Sequence, residues 1–323
     1  MNKKARIYVA GHKGLVGGAI LRNLQSEGFS NLLTKTHKEL DLLDQAAVDV
    51  FFEREKPEYV FLAAAKVGGI GANSTYPADF IYQNTMIGFN VVHSAYKSGV
   101  KKLINLGSSC IYPKLAPQPM KEEYLLSGLL EPTNEAYAIA KINVIKLCTF
   151  YNRQYGTNFL SVMPTNLYGP GDNYDLNGSH VLPALIRKFH EAKISGDDRV
   201  VLWGDGSPRR EFLYSDDLAL ALVTLMQDNN AADISNPAGD FINIGSGRDL
   251  TIKELAEMIR DIVYSGIHDR TCRIEWDNTK PNGTPQKLLD ISRITALGFL
   301  PKIALVEGIK IAYNDYINYK GAA

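Results

Sequence analysis

Tyr137 and Lys141 stand four residues apart in the stretch N-E-A-Y-A-I-A-K, and a helix puts side chains at that interval on one face. A tyrosine holds its proton up to pH ~10, and an ammonium group beside it stabilises the phenolate, so the pair can exchange a proton with a carbonyl oxygen. The interval alone says little. Tyr316 and Lys320 repeat it in the C-terminal tail without other chemical groups, and they read as a solvated helix end. The first pair has company: L-G-S-S-C-I-Y at 106–112 brings Ser108 and Cys110, and a glycine-rich turn opens the chain.

That turn is G-H-K-G-L-V-G at 11–17, preceded by the apolar run 7–10 and followed by Ala19, Ile20 and Leu24 at helical spacing. Strand, turn and helix in this order suit a pyrophosphate at a helix N-terminus. Gly11 permits the tight turn, Gly14 the approach of backbone to the anion, and Gly17 the close packing of helix on strand. In the NAD-binding pattern an acidic residue about twenty positions on takes the adenosine ribose. The second strand here reads L-L-T-K-T-H-K at 32–38 and has no carboxylate. Lys13, Lys35 and His37 suit a 2'-phosphate instead, so the expected cofactor is NADP(H) rather than NAD.

The elements that must hold these residues alternate. Strands are expected at 6–10, 30–34, 58–63, 102–107 and 159–164, with helices near 15–27, 45–55, 78–98 and 135–155. Such alternation predicts an α/β fold, a doubly wound parallel sheet of Rossmann type. Glycine, proline, asparagine and aspartate then crowd 164–180, which suits a binding loop. The runs 200–207 and 241–247 and an amphipathic helix over 251–264 suggest a smaller mixed α/β substrate domain, with some segments returning to the sheet. The expected division is 1–168 with a returning segment near 212–246 for the cofactor, and 169–211 with 247–323 for the substrate.

The 323 residues suffice for two such units, and 45% hydrophobic content supports real cores. Equal counts of 35 basic and 35 acidic residues, mixed along the chain, disfavour nucleic acid or an anionic membrane surface as a partner. Apolar stretches such as 218–226 are too short to span a bilayer, so a soluble cytoplasmic protein is expected. Cys110, Cys148 and Cys272 are odd in number and widely spaced; reduced thiols are expected, with neither disulfides nor a metal site.

The serine-bearing strand end, the Y-A-I-A-K helix and P-T-N-L-Y-G-P at 164–170 resemble the extended short-chain dehydrogenase/reductase family. Longer runs narrow the resemblance to its GDP-L-fucose synthase group: A-A-A-K-V-G-G-I at 63–70, Y-P-A-D-F-I-Y-Q-N at 76–84, E-P-T-N-E-A-Y-A-I-A-K at 131–141, and N-G-S-H-V-L-P-A-L-I-R-K-F-H-E-A at 177–192. The resemblance covers nearly the whole chain. It implies inversion at C3 and C5 of GDP-4-keto-6-deoxy-D-mannose, then reduction of the C4 ketone by NADPH. Sister enzymes acting on another GDP-keto sugar, such as a heptose, are the alternative; a cofactor-holding sensor without turnover is the alternative of another class.

By the same resemblance Ser108, Tyr137 and Lys141 serve the ketone, and Cys110 and His180 supply and remove protons on opposite faces of the sugar. A thiol acts as a base only if a nearby cation favours its thiolate, and the nicotinamide ring or Lys141 is expected to do so. The implied cofactor set is Gly11, His12, Lys13, Gly14, Leu15, Val16 and Gly17 in the first turn, then Lys35, His37, Asp41 and Leu42. Ala64, Leu106, Gly107, Pro164, Asn166 and Leu167 at later strand ends complete it with Tyr137, Lys141 and His180. Lys188, Trp203, Arg210 and Asn282 are expected to meet the GDP-sugar, Asn282 standing where the family pattern has an aspartate. A homodimer is implied through the helices near 78–98 and 135–155, with Ile142, Ile145 and Phe150 on the apolar faces. Tyr112 and Tyr168 read as packing residues, and His93, His190 and His268 as structural or solvent-facing.

Overall fold

The computed structural model describes residues 1–176, 178–266, 272–280 and 282–321; His268 lies outside them. The first half builds a parallel sheet from β1 (Ile7–Ala10), β2 (Leu32–Leu33), β3 (Tyr59–Leu62), β4 (Lys102–Leu106) and β5 (Phe159–Pro164). The intervening helices are α1 (Leu15–Ser26), α2 (Gln45–Glu55), α3 (Ile70–Thr75), α4 (Pro77–Lys97) and α5 (Glu135–Tyr155). Every residue of β1, β4 and β5 is buried, as a sheet covered on both faces requires. Even Lys102 is enclosed, its Nζ donating to the carbonyls of Met226 and Asn229.

Downstream come β6 (Asn166–Tyr168), α6 (Val181–Ser195), β7 (Arg199–Trp203), β8 (Arg209–Tyr214), α7 (Ser215–Asp228), β9 (Ser235–Asn236) and β10 (Gly239–Ile244). Then follow β11 (Asp249–Thr251), α8 (Ile252–Val263), β12 (Arg273–Asp277), β13 (Gln286–Lys287), α9 (Ser292–Ala296) and α10 (Leu305–Gly321). The large sheet has seven strands in the order β2-β1-β3-β4-β5-β10-β9, all parallel except the short β9–β10 pair. The strand order reverses between β1 and β3, and in open α/β sheets ligands bind at that crevice.

Two apolar cores flank this sheet. One joins Ile7, Val9, Ile20, Leu160, Leu222 and Ile244; the other joins Tyr8, Phe52, Val60, Val91 and Phe159. A third core, with Phe189, Leu202, Phe212, Ile259 and Tyr316, lies around β8, which is hydrogen-bonded to β6, β11 and β13. The partition expected from sequence differs at α9: Ile294, placed in the substrate unit above, packs in the core of the large sheet. The C-terminal tail differs too. Tyr316 is fully buried rather than solvated, its ring 4.6 Å from Tyr174 and 5.2 Å from His190, because α10 packs against the third core. The side chain of Lys320 lies outside the described residues.

The faces assigned to a second subunit also divide. Ile142 and Ile145 are buried in a core with Ile111, Met163 and Phe241, whereas Phe150 is half exposed. The helices α4 and α5 meet at Gly88, where an added Cβ would stand 2.2 Å from Val144 Cγ2. No helix among the described residues is long and apolar enough to cross a membrane.

Candidate active site

The first turn leaves β1 through Gly11, at φ +85°, and an added Cβ there would meet Ala64 backbone nitrogen at 2.7 Å. At Gly17 an added Cβ would stand 2.1 Å from the Gly11 carbonyl oxygen. Glycine is therefore required for α1 to seat directly on the turn. The N-cap of α1 is Gly14, and no side chain caps its free N–H groups, which leaves them available to an anion.

These residues open onto a cleft of about 1930 Å³ that runs from the first turn to Trp203 and Asn282. Pockets for one small ligand are about 300–1,000 Å³, so this one has room for a dinucleotide and a nucleotide sugar together. Every site residue named from sequence lines it except His12, whose Nδ1 is buried without a hydrogen-bond partner. Lys13, Lys35, His37 and Asp41 lie along one end, with His37 Nδ1 3.6 Å from Asp41 Oδ1. Glu39 folds back on its own turn, accepting from the backbone and hydroxyl of Thr36.

At the middle of the cleft β4 ends in Leu106 and Gly107. Ser108 then takes an extended backbone and its Oγ accepts the Cys110 N–H at 3.2 Å. Above it α5 presents Tyr137 and Lys141 one turn apart, as the interval predicts. Lys141 Nζ donates to the Leu106 carbonyl at 2.8 Å and lies 5.7 Å from the Tyr137 ring centroid. Burial holds the Lys141 ammonium down to about 8. It pushes the Tyr137 phenol well above its ordinary value, the charge of Cys110 adding to this and a hydrogen bond with Ser108 opposing it. Tyr137 therefore keeps its proton at neutral pH, poised as a donor.

His180 is the N-cap residue of α6, but its side chain makes no capping bond and turns into the cleft. There desolvation, and secondarily Lys287, hold its imidazole below the ordinary value. Lys287, which sequence reasoning missed, is the cation beside Cys110: its Nζ is 3.7 Å from Sγ. Lys141, expected in that place, is instead engaged at Leu106. A lysine in the run P-Q-K-L-L carries no local signal of its position. Only the pairing of β13 with β8, which sets Lys287 opposite Arg210, brings it to the site.

On the far wall Arg210 points toward the cleft and donates to its neighbour's carbonyl, Arg209 O. Its strand neighbour Glu211 is fully buried on the other face, accepting backbone N–H groups from Gly247 at 2.7 Å and Leu289 at 3.0 Å. Lys188 donates to Val201 O, and Trp203 is 65% exposed with Lys280 Nζ 5.8 Å from its ring. Asn282 Oδ1 accepts the Asp205 N–H at 2.9 Å, a bond an aspartate would also make. Two lining segments meet where Gly69 N–H donates to Gly178 O at 3.2 Å. Tyr112 and Tyr168 are buried and hydrogen-bonded, His93 pairs with Tyr151 and His190 with Tyr313, so all four are structural.

Residues 7–245 match the model of the NAD dependent epimerase/dehydratase family. The chain is 56% identical over 317 residues to GDP-L-fucose synthase 1 of Arabidopsis thaliana, covering 98% of this chain and 94% of that one. The chain belongs to this family, in its GDP-L-fucose synthase branch. GDP-L-fucose synthase of Escherichia coli strain K12 is 53% identical over 317 residues, covering 97% of each chain. Among solved structures, a GDP-mannoheptose C4 reductase from Campylobacter jejuni with NADP bound is 43% identical, with TM-score 0.89 over 98% of this chain and 99% of that one. The doubly wound parallel sheet and the enzyme class expected from sequence therefore hold.

Proposed function

We propose that this protein is a bifunctional epimerase/reductase that converts GDP-4-keto-6-deoxy-D-mannose to GDP-L-fucose with NADPH. The observation that carries the reading is the presence of Cys110 and His180 in the same cleft as Ser108, Tyr137 and Lys141. A reductase needs only the last three; two further proton-transfer groups suit inversion beside a ketone.

The C3 and C5 protons flank the C4 carbonyl, so removing either leaves an enolate whose charge rests on the C4 oxygen. Ser108 and Tyr137 hydrogen-bond that oxygen. Cys110 and His180 work on opposite faces, one taking the C–H proton and the other returning a proton to the same carbon. When bound, NADPH supplies the hydride to C4. Tyr137 gives its proton to the resulting alkoxide, and the buried Lys141 ammonium stabilises the phenolate left behind.

The glycine turn, the uncapped α1 N-terminus and the basic group Lys13, Lys35 and His37 suit NADPH, whose 2'-phosphate needs cations where NAD needs a carboxylate. Arg210 and Lys188 suit the GDP pyrophosphate and Trp203 a ring of the substrate. A homodimer is supported by the exposed aromatic side chains Tyr82, Phe89, Phe150 and Tyr155 on α4 and α5; a monomer by light scattering at working concentration would refute it. Three free thiols suit the reducing cytoplasm.

The test is NADPH oxidation with GDP-4-keto-6-deoxy-D-mannose, with NADH in parallel and the product identified. GDP-L-fucose supports the reading. A reduced but unepimerised sugar would make the protein a sister of the heptose reductase and strip Cys110 and His180 of their roles. Cofactor binding without turnover would leave only the binding module.

A further inference from the structure

The cation at Cys110 has a built position. Gln286 and Lys287 alternate across the short strand β13, so their side chains leave on opposite faces. Gln286 is fastened to Asp249 on one side, and the backbone beyond is held by Leu288 N–H to Gln118 Oε1 and Leu289 N–H to Glu211 Oε2. Between these tied flanks Lys287 reaches Cys110 Sγ at 3.7 Å, and it also lies within electrostatic range of His180.

Other charged or titratable groups face Cys110. Arg210 on β8 and Tyr137 on α5 both lie within electrostatic range of its sulfur. The Lys114–Glu131 ion pair, 3.0 Å long, lines the small cavity that Cys110 shares with Lys287. Arg210 is already engaged at Arg209 O, and Lys114 is neutralised by Glu131. Lys287 is thus the cation whose hydrogen bond ends on the sulfur.

We infer that Lys287 is a positioning residue for the epimerisation, pairing with the Cys110 thiolate so that the sulfur, rather than His180, is the proton acceptor. This rests on the role given to Cys110 above. The ammonium in contact with Cys110 favours a thiolate there, and its field at His180 also favours the deprotonated ring, so the preference for Cys110 as acceptor rests on the direct contact with the sulfur. The two proton-transfer groups then differ before substrate arrives.

The test reads the sulfur directly. Cys148 and Cys272 are buried and Cys110 is partly exposed, so alkylation by iodoacetamide at neutral pH, with Cys110→Ser as blank, reports the Cys110 thiolate. Lys287→Met is expected to slow alkylation about tenfold or more, the usual consequence of removing an opposite charge at this range. Lys287→Arg is expected to stay within about threefold of the unaltered protein, since the charge remains. Lys287→Gln replaces the methionine variant if that one fails to fold. Equal rates in all variants would overturn the inference, as would an equal fall in the Arg and Met variants, which would mark a packing effect. The alkylation itself uses no substrate, so it is separable from turnover: a slowed alkylation together with full solvent-deuterium exchange at C3 and C5 in Cys110→Ser would refute the role of Cys110, and with it the part of Lys287 in the epimerisation, leaving only the ion pair.

Discussion

Lys141 sits where a catalytic need opposes stability. Its ammonium is buried with a single hydrogen-bond partner, the Leu106 carbonyl, and burial lowers it from 10.5 to about 8. In the unfolded chain it titrates at its ordinary value. Below pH 8 both states carry the charge, and the folded state bears the full cost of enclosing it. Between pH 8 and 10.5 the folded protein has released a proton that the unfolded chain still binds, so stability from this group rises with pH. The interval of about 2.5 pH units, at 1.36 kcal/mol each, amounts to about 3 kcal/mol. Lys141→Met removes the charge but strands the Leu106 carbonyl, a loss of about 1–3 kcal/mol that does not depend on pH. The two proteins should therefore differ in pH profile. Urea unfolding of the ligand-free proteins at several pH values should find the unaltered chain gaining about 3 kcal/mol on the methionine variant between pH 8 and 10.5, while the variant reduces no ketone. A difference that stays constant across that range would refute the reading of Lys141 as a buried ammonium.

Neighbouring glycines should behave in opposite ways. Gly17→Ala puts a Cβ 2.1 Å from Gly11 O and should weaken NADPH binding by about 1–3 kcal/mol, whereas Gly18→Ala meets its nearest atoms at 3.5 Å and should bind normally; cofactor fluorescence titration separates them. Gly88→Ala drives a Cβ into Val144 and should lower stability by about 1–3 kcal/mol in urea unfolding. Trp203→Ala should raise the KM for the GDP-sugar about fivefold at unchanged kcat, with no loss of thermal stability, because the ring is largely exposed. Asn282→Asp should keep the bond to Asp205 N–H but set a second carboxylate beside the Asp205 side chain and lower the melting temperature, and Asn282→Leu should lower stability by about 1 kcal/mol.

The large sheet was legible because its strands are continuous apolar runs and its helices have clear faces; α2, α5 and β5 fall where the sequence puts them. The Tyr137–Lys141 pair and the glycine turn were legible for a related reason, since each is fixed by local geometry within one element and its turn. What the sequence hid depends on long-range pairing. Lys287 reaches Cys110 across 177 positions of chain, and nothing near it marks the arrival. Tyr316 looked solvated because its burial is decided by Tyr174 and His190, both more than a hundred residues away.

Strand β8 joins two incompatible demands in adjacent residues: Arg210 faces the cleft and Glu211, fully enclosed, holds the Gly247 and Leu289 backbones on the other side. Because side chains alternate along a strand, a shift of one residue would send a carboxylate toward Cys110 and a guanidinium into the core. The strand therefore tolerates exchange of side chains in place but no change of length. Any descendant of this scaffold that acquires a different sugar must do so by substitution around an invariant frame, with insertions and deletions confined to the loops at either end.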